Sequence, residues 1–428
     1  MDRSGYPDSW YAATRWPEPE RAPLSAPART DVCVIGGGFA GLHIARLLAE
    51  RGLGVIVLER HRIGWGASGR NGGFVSAGYA QRAAPIIARV GEEAARGLYG
   101  LSREGVELVR EVALAADPAL IMGTGKLTVF RTRQGQDFAE RTRAMAARLG
   151  TATEPWSIEQ VRAVAHTARY FEATHDPRAF QVHPLNLALA LAQRIERAGG
   201  MIHERTEAVS LVADGAGWRI RTAFGAEMSA GKVVLAGNAD LGAVHRGAAR
   251  ALLPVATYVA VTEPLGARLG AALTWRGALS DSRRAGDYYR IVDGDRLLWG
   301  GRITTDTREP PALRAMMRRD ILSVYPQLED VSIAHAWPGV MGYATHMMPH
   351  VTRLSDSLWL SSAFGGHGVA QTAAAAIVVA AGIIDGDQRW RMFAPWAVSW
   401  AGGPIGRAAT QGAYWWMQAR DWIDERAA

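Results

Sequence analysis

Apolar positions along the chain follow two periods, and the change from one to the other marks the elements. Residues 30–60, TDVCVIGGGFAGLHIARLLAERGLGVIVLER, open with an apolar run (31–35) and pass a glycine turn (36–41). A helix-period stripe (42–51) then stops at Gly52, and a second apolar run follows (55–58). Short apolar runs bounded by turn residues predict buried strands, and the spacing between them predicts an amphipathic helix. The same types return later: a helix over 185–198, a return segment at 207–212, a hairpin and buried strand ending at 236, then a strand, glycine-rich turn and Ala-rich helix over 357–386. Between them, residues 80–155 read as helical and Arg/Glu-rich, whereas 245–345 read as β-rich around the helix in PPALRAMMRRDILSVYP. This order predicts an α/β chain, α+β overall. A Rossmann-like dinucleotide-binding domain is assembled from 1–80, 156–244 and 346–428. A second domain, 81–155 and 245–345, carries an antiparallel sheet with helices.

Composition narrows the class. At 428 residues the chain is too long for one ordinary core. No run of 18 apolar residues occurs; the nearest, 369–385, is small-residue-rich and reads as a buried helix. The first twenty residues, acidic, aromatic and Pro-broken, do not resemble a signal peptide. A cytoplasmic protein without membrane association is expected. The single cysteine, Cys33, excludes an intrachain disulfide and a cysteine-built metal site. The net charge of +7 comes almost wholly from Arg, with Lys only at 126 and 232. The cations are interspersed with acids, so no nucleic-acid partner is expected, whereas an anionic ligand stays open.

The 30–60 unit carries GxGxxG at Gly36, Gly38 and Gly41, with Glu59 ending the second strand. Gly36 makes the tight turn, Gly38 admits a pyrophosphate against the backbone, Gly41 lets the helix pack on the sheet, and Glu59 accepts ribose hydroxyls. Strand, turn, helix, strand and acid in register predict a dinucleotide site.

SWYAAT (9–14), DVCVIGGGFAGL, LERHRIGWGASGRNGG, YVAVTEPL, DYYRIVDGDRLLWGG, FGGHGVAQT and PIGRAATQGAYWWMQARDWIDE (404–425), in this order, resemble the FAD-dependent D-amino-acid oxidase superfamily, most closely its γ-glutamylputrescine oxidase branch. The resemblance covers nearly the whole chain. It implies bound FAD, with Phe39, Ala40 and Arg60 beside the motif and with Val209 and Gly237 at later strand ends. It also implies that GWGASGRNGG passes the pyrophosphate through Gly66, Ala67, Ser68, Arg70, Asn71, Gly72 and Gly73. FGGHGV lies beside the flavin pyrimidine, where Gly365, Gly366, His367, Gly368 and Val369 offer backbone N–H groups and a helix dipole to negative charge. Some relatives attach the flavin to a His where Arg70 stands, others to a Cys before the last glycine-rich turn, where WPGVMGYATHMMPHV has none. Non-covalent FAD is expected.

The implied activity is oxidation of a C–N bond in a small-molecule amine to an imine, with O2 or a separate electron-transfer partner as acceptor. Glycine oxidases hold the substrate carboxylate with an Arg where Met341 stands, which favours an amine lacking an α-carboxylate, such as a γ-glutamylputrescine-like compound. N-methyl- or D-amino-acid oxidation and a non-catalytic flavoprotein remain the alternatives. Arg302 is a candidate for binding a distal carboxylate, against a solvent-facing strand position. The sarcosine-oxidase lysine that activates oxygen is matched by Leu298. Tyr288, Tyr289 and Tyr343 are candidates for the cavity wall, against ordinary core or surface positions. His367 is the favoured histidine, ahead of His346 and His350. The Trp-rich tail (390, 396, 400, 415, 416, 422) reads as packed on the rest of the protein, with subunit or membrane contact as the alternative.

Overall fold

Four apolar residues in succession, buried on both faces, form each of the strands at the centre of the first sheet. In a computed structural model, which describes residues 5–242, 244–283 and 286–427, Val32 to Ile35 and Val55–Leu58 are all buried. The order is His350–Ser355, Leu358–Ser362, Glu227–Leu235, Ala28–Ile35, Val55–Leu58, Met201–His203. The pairs are parallel except at the His350–Ser355 edge. A hairpin, Ala208–Asp214 with Gly217–Thr222, adds to Glu227–Leu235. Runs apolar on both faces suit a sheet covered on both sides. The helices Phe39–Ala49, Pro184–Arg197 and Gly368–Ile384 supply part of that cover.

The second sheet runs Ile333–Tyr343, Leu253–Thr262, Arg296–Thr304, Tyr288–Val292, Ala278–Asp281, Ile121–Val129, Ala173–Val182, Phe74–Val75, with Glu154–Trp156 paired to Ala173–Val182. Its pairs are antiparallel except Ala278–Asp281 with Ile121–Val129.

Four segments differ from the sequence expectation. Residues 121–129, within the stretch read as helical, are a strand whose alternate positions 125, 127 and 129 are buried. Ala173–Val182 and Phe74–Val75, assigned to the nucleotide domain, pair in the second sheet. The half-buried, polar first half of ATHDPRAFQV and the four buried residues in succession at its end show no two-residue period. The helix Glu92–Ala116, assigned to the second domain, packs on Gly368–Ile384 instead. The two backbones approach so closely that a Cβ on Gly105 would lie 2.4 Å from the Ala370 carbonyl oxygen.

Among the described residues one helical stretch, Gly365–Ile384, is long and apolar enough to cross a membrane, but 67% of its apolar window is buried inside the protein. The tail is divided. Trp396 is buried, whereas Trp400, Trp415, Trp416 and Trp422 are each more than half exposed, contrary to the packed reading.

Candidate cofactor and substrate cleft

A cleft of about 1130 Å³ opens where the carboxyl ends of Ala28–Ile35, Val55–Leu58 and Glu227–Leu235 meet the second sheet. Parallel sheets place ligands at that end of their strands. The volume exceeds the roughly 300–1000 Å³ that suits one drug-sized ligand. Gly36, Gly38, Phe39 and Ala40 line it, followed by Glu59 and Arg60. Gly36 has φ +117°, and a Cβ there would lie 2.7 Å from Ala236 backbone atoms. Gly41 lies under the turn, where a Cβ would meet the Gly36 oxygen at 2.0 Å, the helix–sheet packing role expected of it.

Glu59 is held by two backbone donors: Gly37 N–H to Oε2 and His61 N–H to Oε1, both at 2.7 Å. Burial pushes its carboxyl up to about 7, against the lowering effect of those bonds. Arg60 is paired with Asp240 at 2.7 Å and with Glu207 at 3.6 Å.

The glycine loop covers the next stretch, with Gly66, Ala67, Ser68, Arg70, Asn71 and Gly72 on the cleft. Two of its polar side chains brace the loop. Ser68 Oγ accepts from the N–H of Phe39 at 2.9 Å, tying the loop to the helix start. Asn71 donates to the Ala67 and Ser68 carbonyls and accepts from Gly73 N–H, which uses both of its N–H donors within the loop. Gly73, expected on the cofactor, instead fits against Ala173–Val182, where a Cβ would lie 2.1 Å from the Val182 oxygen. Arg70 stacks over Trp65 at 4.1 Å, and Trp65 stacks on His61 at 3.8 Å. Its Nε donates to the Trp65 carbonyl at 2.7 Å, while Nη2 is buried without a partner. Burial lowers its pKa to about 10. A buried guanidinium N–H without an acceptor is costly. Glycine clearance, a buried acid and a helix start together fit FAD. Val209, Gly237, Gly365, Gly366, His367, Gly368 and Val369 complete that side.

A family profile described as FAD dependent oxidoreductase matches residues 31–381. The chain belongs to that family. It is 33% identical over 390 residues to gamma-glutamylputrescine oxidoreductase of Escherichia coli, covering 90% of this chain and 91% of that protein. It is 32% identical over 392 residues to the probable oxidoreductase OrdL of Haemophilus influenzae, covering 90% of each. Glycine oxidase from Geobacillus kaustophilus shares the fold, with TM-score 0.70 and 22% identity over 87% of this chain and 99% of that one.

In this FAD-dependent oxidoreductase the second sheet walls the far side of the cleft. Tyr343 and Tyr288 line it. Tyr343 packs on Gly365, where a Cβ would meet its ring at 2.7 Å and φ is +57°. Burial pushes the Tyr343 hydroxyl up to about 12. Tyr288 packs on Gly72 and Gly300. Tyr289, expected on the wall, points through the sheet into the opposite core. It stacks on Trp299 at 4.2 Å and bonds Tyr170 and Tyr325 at 2.9 Å. Neighbouring strand residues face opposite sides, so only one of the pair could line the cleft. Met341 lines it as well.

Arg302, at φ 54°, reaches the cleft edge, but its guanidinium is held by both Asp320 oxygens, at 2.6 and 2.8 Å. The distal-carboxylate role expected of it is therefore already taken by a protein carboxylate. Leu298 is buried in a small core against which Tyr288 and Trp65 pack, and His350 is buried beside His346 elsewhere; none lines the cleft. His367 lies in the turn before Gly368–Ile384, its pKa pushed down to about 3 by burial and then by the charge of Lys126.

Lys126 itself, with Thr128, Ser280, Asn238, Tyr414 and Met417, also lines the cleft and was not singled out from the sequence. Its signal was the alternation in GKLTV, obscured by the helical reading of 80–155.

Glu59 gives a direct test of the ribose reading. Glu59→Gln should weaken FAD binding roughly tenfold to a hundredfold, the range for a charge-assisted hydrogen bond. The wild-type Kd for FAD, by fluorescence quenching, should tighten as pH rises through about 7, where the carboxyl ionises, and E59Q should flatten that profile. An unchanged Kd would remove Glu59 from the cofactor.

Proposed function

We propose that this oxidoreductase oxidises the C–N bond of a primary or secondary amine whose reacting carbon bears no carboxylate, a γ-glutamylputrescine-like compound or related amino-acid-derived amine. The amine loses a hydride from carbon and a proton from nitrogen to become an imine, and water converts this to an aldehyde plus ammonia or a smaller amine. FAD, held non-covalently, supplies the hydride acceptor, and O2 or an electron carrier takes the electrons onward.

The observation that carries this reading is the character of the wall: Met341, Tyr288 and Tyr343 line it, and the nearby guanidinium of Arg302 is already satisfied by Asp320. None of these side chains offers an α-carboxylate a free cation, whereas a neutral amine suits an aromatic, water-excluding surface. The histidine of the glycine turn stays neutral and adds no charge against the substrate. N–H groups at the start of Gly368–Ile384 favour negative charge accumulating beside them. The 33% identity to gamma-glutamylputrescine oxidoreductase supports the substrate class. Non-covalent attachment is supported by Arg70 in the loop and by the burial of Cys33 in a core strand away from the cleft.

Anaerobic mixing of the holoenzyme with an amine panel tests the reading. Polyamine conjugates should bleach the flavin, and acid precipitation should release all FAD into the supernatant. Bleaching only by N-methyl- or D-amino acids, or by nothing, would replace the proposal with an amino-acid oxidase or a non-catalytic flavoprotein.

A further inference from the structure

The cations around the cleft are almost all spoken for. Arg302 is bound by Asp320, Arg283 by Asp281 and Asp287, and Arg60 by Asp240. Arg70 lies in the glycine loop and Arg82 is exposed at the rim. Lys126 is different. It projects from Ile121–Val129 into the enclosed part of the cleft and makes no hydrogen bond or ion pair among the described residues. Asp176, opposite it in strand register, acts on it without forming an ion pair. Beside it, Thr128 and Ser280 bring their hydroxyls within 3.4 Å of each other on the same wall. His367 is near enough for the lysine's charge to act on it. Enclosing an ammonium without a counter-charge is unfavourable, and a fold keeps one where a ligand supplies the missing anion.

We propose that Lys126, with the Thr128 and Ser280 hydroxyls, is an anion subsite that takes a carboxylate carried by the substrate away from the carbon being oxidised. This rests on the amine-oxidising reading and refines it: the preferred substrate is a carboxylate-bearing amine whose acid and reacting nitrogen lie at opposite ends.

Two measurements on the holoenzyme test this. Oxidised enzyme titrated with butyrate or glutarate, followed by perturbation of the flavin spectrum, should bind the acid. Lys126→Met should weaken that binding roughly tenfold to a hundredfold, and Lys126→Arg should restore part of it. In turnover, ω-amino acids of increasing length should outperform alkylamines of equal length through KM, and K126M should erase the preference. FAD content and Tm of both variants confirm that they fold. The subsite is overturned if wild type binds neither acid, if K126M binds them unchanged, or if K126M alters only sulfite affinity and flavin potential, which would assign the lysine to the flavin. The acid titration needs no turnover, so failure of every amine to bleach the flavin would sink the reaction class and leave the subsite standing.

The C-terminal helix, Gly403–Ala427, carries a second, independent inference. One stripe, Gln411, Tyr414 and Met417, meets the cleft and Arg296–Thr304. The opposite, solvent-facing stripe is Ile405, Ala408, Gly412, Trp415, Ala419 and Trp422, spaced alternately three and four residues apart with no polar member. Ile405 is 78% exposed, Trp415 65% and Trp422 56%, with Ile423 alongside at 53%, and the Arg426 guanidinium closes the stripe, stacked over Trp422 at 3.6 Å. That spacing is the seam of a two-helix coil.

The seam is complementary to itself under a two-fold axis between Ala413 and Tyr414. Gly412 then faces the partner's Trp415, Ala408 faces the partner's Ala419 and Ile405 faces the partner's Trp422, each small or aliphatic residue meeting its match. Covering these side chains removes about 500 Å² per copy, on the order of 1000 Å² in all, above packing contacts and near the lower bound for specific interfaces. We infer that this face pairs antiparallel with the same helix of a second copy.

The full-length holoenzyme should sediment as a dimer at micromolar concentration. Trp415→Lys with Trp422→Lys, outside the cleft, should give a monomer that keeps its FAD and Tm. Ala408→Cys with Ala419→Cys should cross-link under mild oxidation, against a background of one buried native thiol. A monomeric wild type, a dimeric lysine variant, absence of the cross-link, or monomers that co-sediment with phosphatidylglycerol vesicles would each overturn the pairing.

Discussion

Gly36→Val is expected to purify colourless, with FAD affinity reduced by more than about a hundredfold. Two independent penalties converge there. The residue sits at φ +117°, a region closed to side-chain-bearing residues, and strain of that kind costs roughly 1–3 kcal/mol. A Cβ would also lie 2.7 Å from the carbonyl carbon and oxygen of Ala236, which are backbone and have no rotamer to change. Relief requires the turn to move away from Glu227–Leu235, and that turn walls the cleft. Gly38→Ala is the informative contrast. Its Cβ would meet only Ser68 Oγ, at 3.0 Å, a side-chain atom able to swing at the loss of its bond to Phe39 N–H. A milder loss, about tenfold, should follow. The ratio of flavin to protein absorbance and the Kd for FAD decide both; a yellow, stoichiometric G36V would contradict the cradle.

Asp281→Ala should destabilise the protein by about 3–5 kcal/mol, the cost of removing one partner from a buried charge cluster. Asp281 is fully buried and accepts from Arg131 Nε at 3.2 Å, Arg283 Nε at 2.8 Å and the N–H groups of Arg283 and Asp287 at 3.2 Å each. Without it, Arg131's remaining ion pair among the described residues is with Glu425, at 3.9 Å. Glu425 belongs to the C-terminal helix, so the helix should also become more sensitive to protease. The same cluster gives a pH signature. Burial, then the charge of Asp281, pushes Asp287 up to about 7 from an ordinary 3.8. A carboxyl raised in the folded state contributes stability that is full below about pH 4 and lost as pH rises through 7. Tm should therefore fall as pH rises from about 4 to about 7, and Asp287→Asn should remove that step. Urea unfolding measures the first effect and a pH series of thermal melts the second; a D281A loss below 1 kcal/mol would show that the cluster does not anchor this wall.

Much of the cofactor side was legible in the sequence because it is local. The turn, helix and second strand of 30–60 lie within one βαβ unit, and Glu59 reaches Gly37 N–H across that unit. The substrate side was less legible. Tyr288 and Tyr289 are adjacent and chemically identical, yet only the pairing of Tyr288–Val292 with Arg296–Thr304 decides which faces the cleft. Arg302 read as a free anchor because Asp320, on a helix 18 residues away, leaves no mark on its neighbours. Lys126 read as part of a helical stretch because its strand partners, Ala278–Asp281 and Ala173–Val182, lie far along the chain.

The sequence by itself determined the dinucleotide unit, the family and the loop that bears Arg70, because short-range steric and hydrogen-bonding requirements select glycine, acid and apolar run at fixed spacing. Only the tertiary structure decided which cations keep a free charge, which face of the second sheet lines the cleft, and that the Trp-bearing face of the last helix is exposed. Each of those depends on a partner or a register set by residues distant in the chain, and side-chain identity alone carries no information about either.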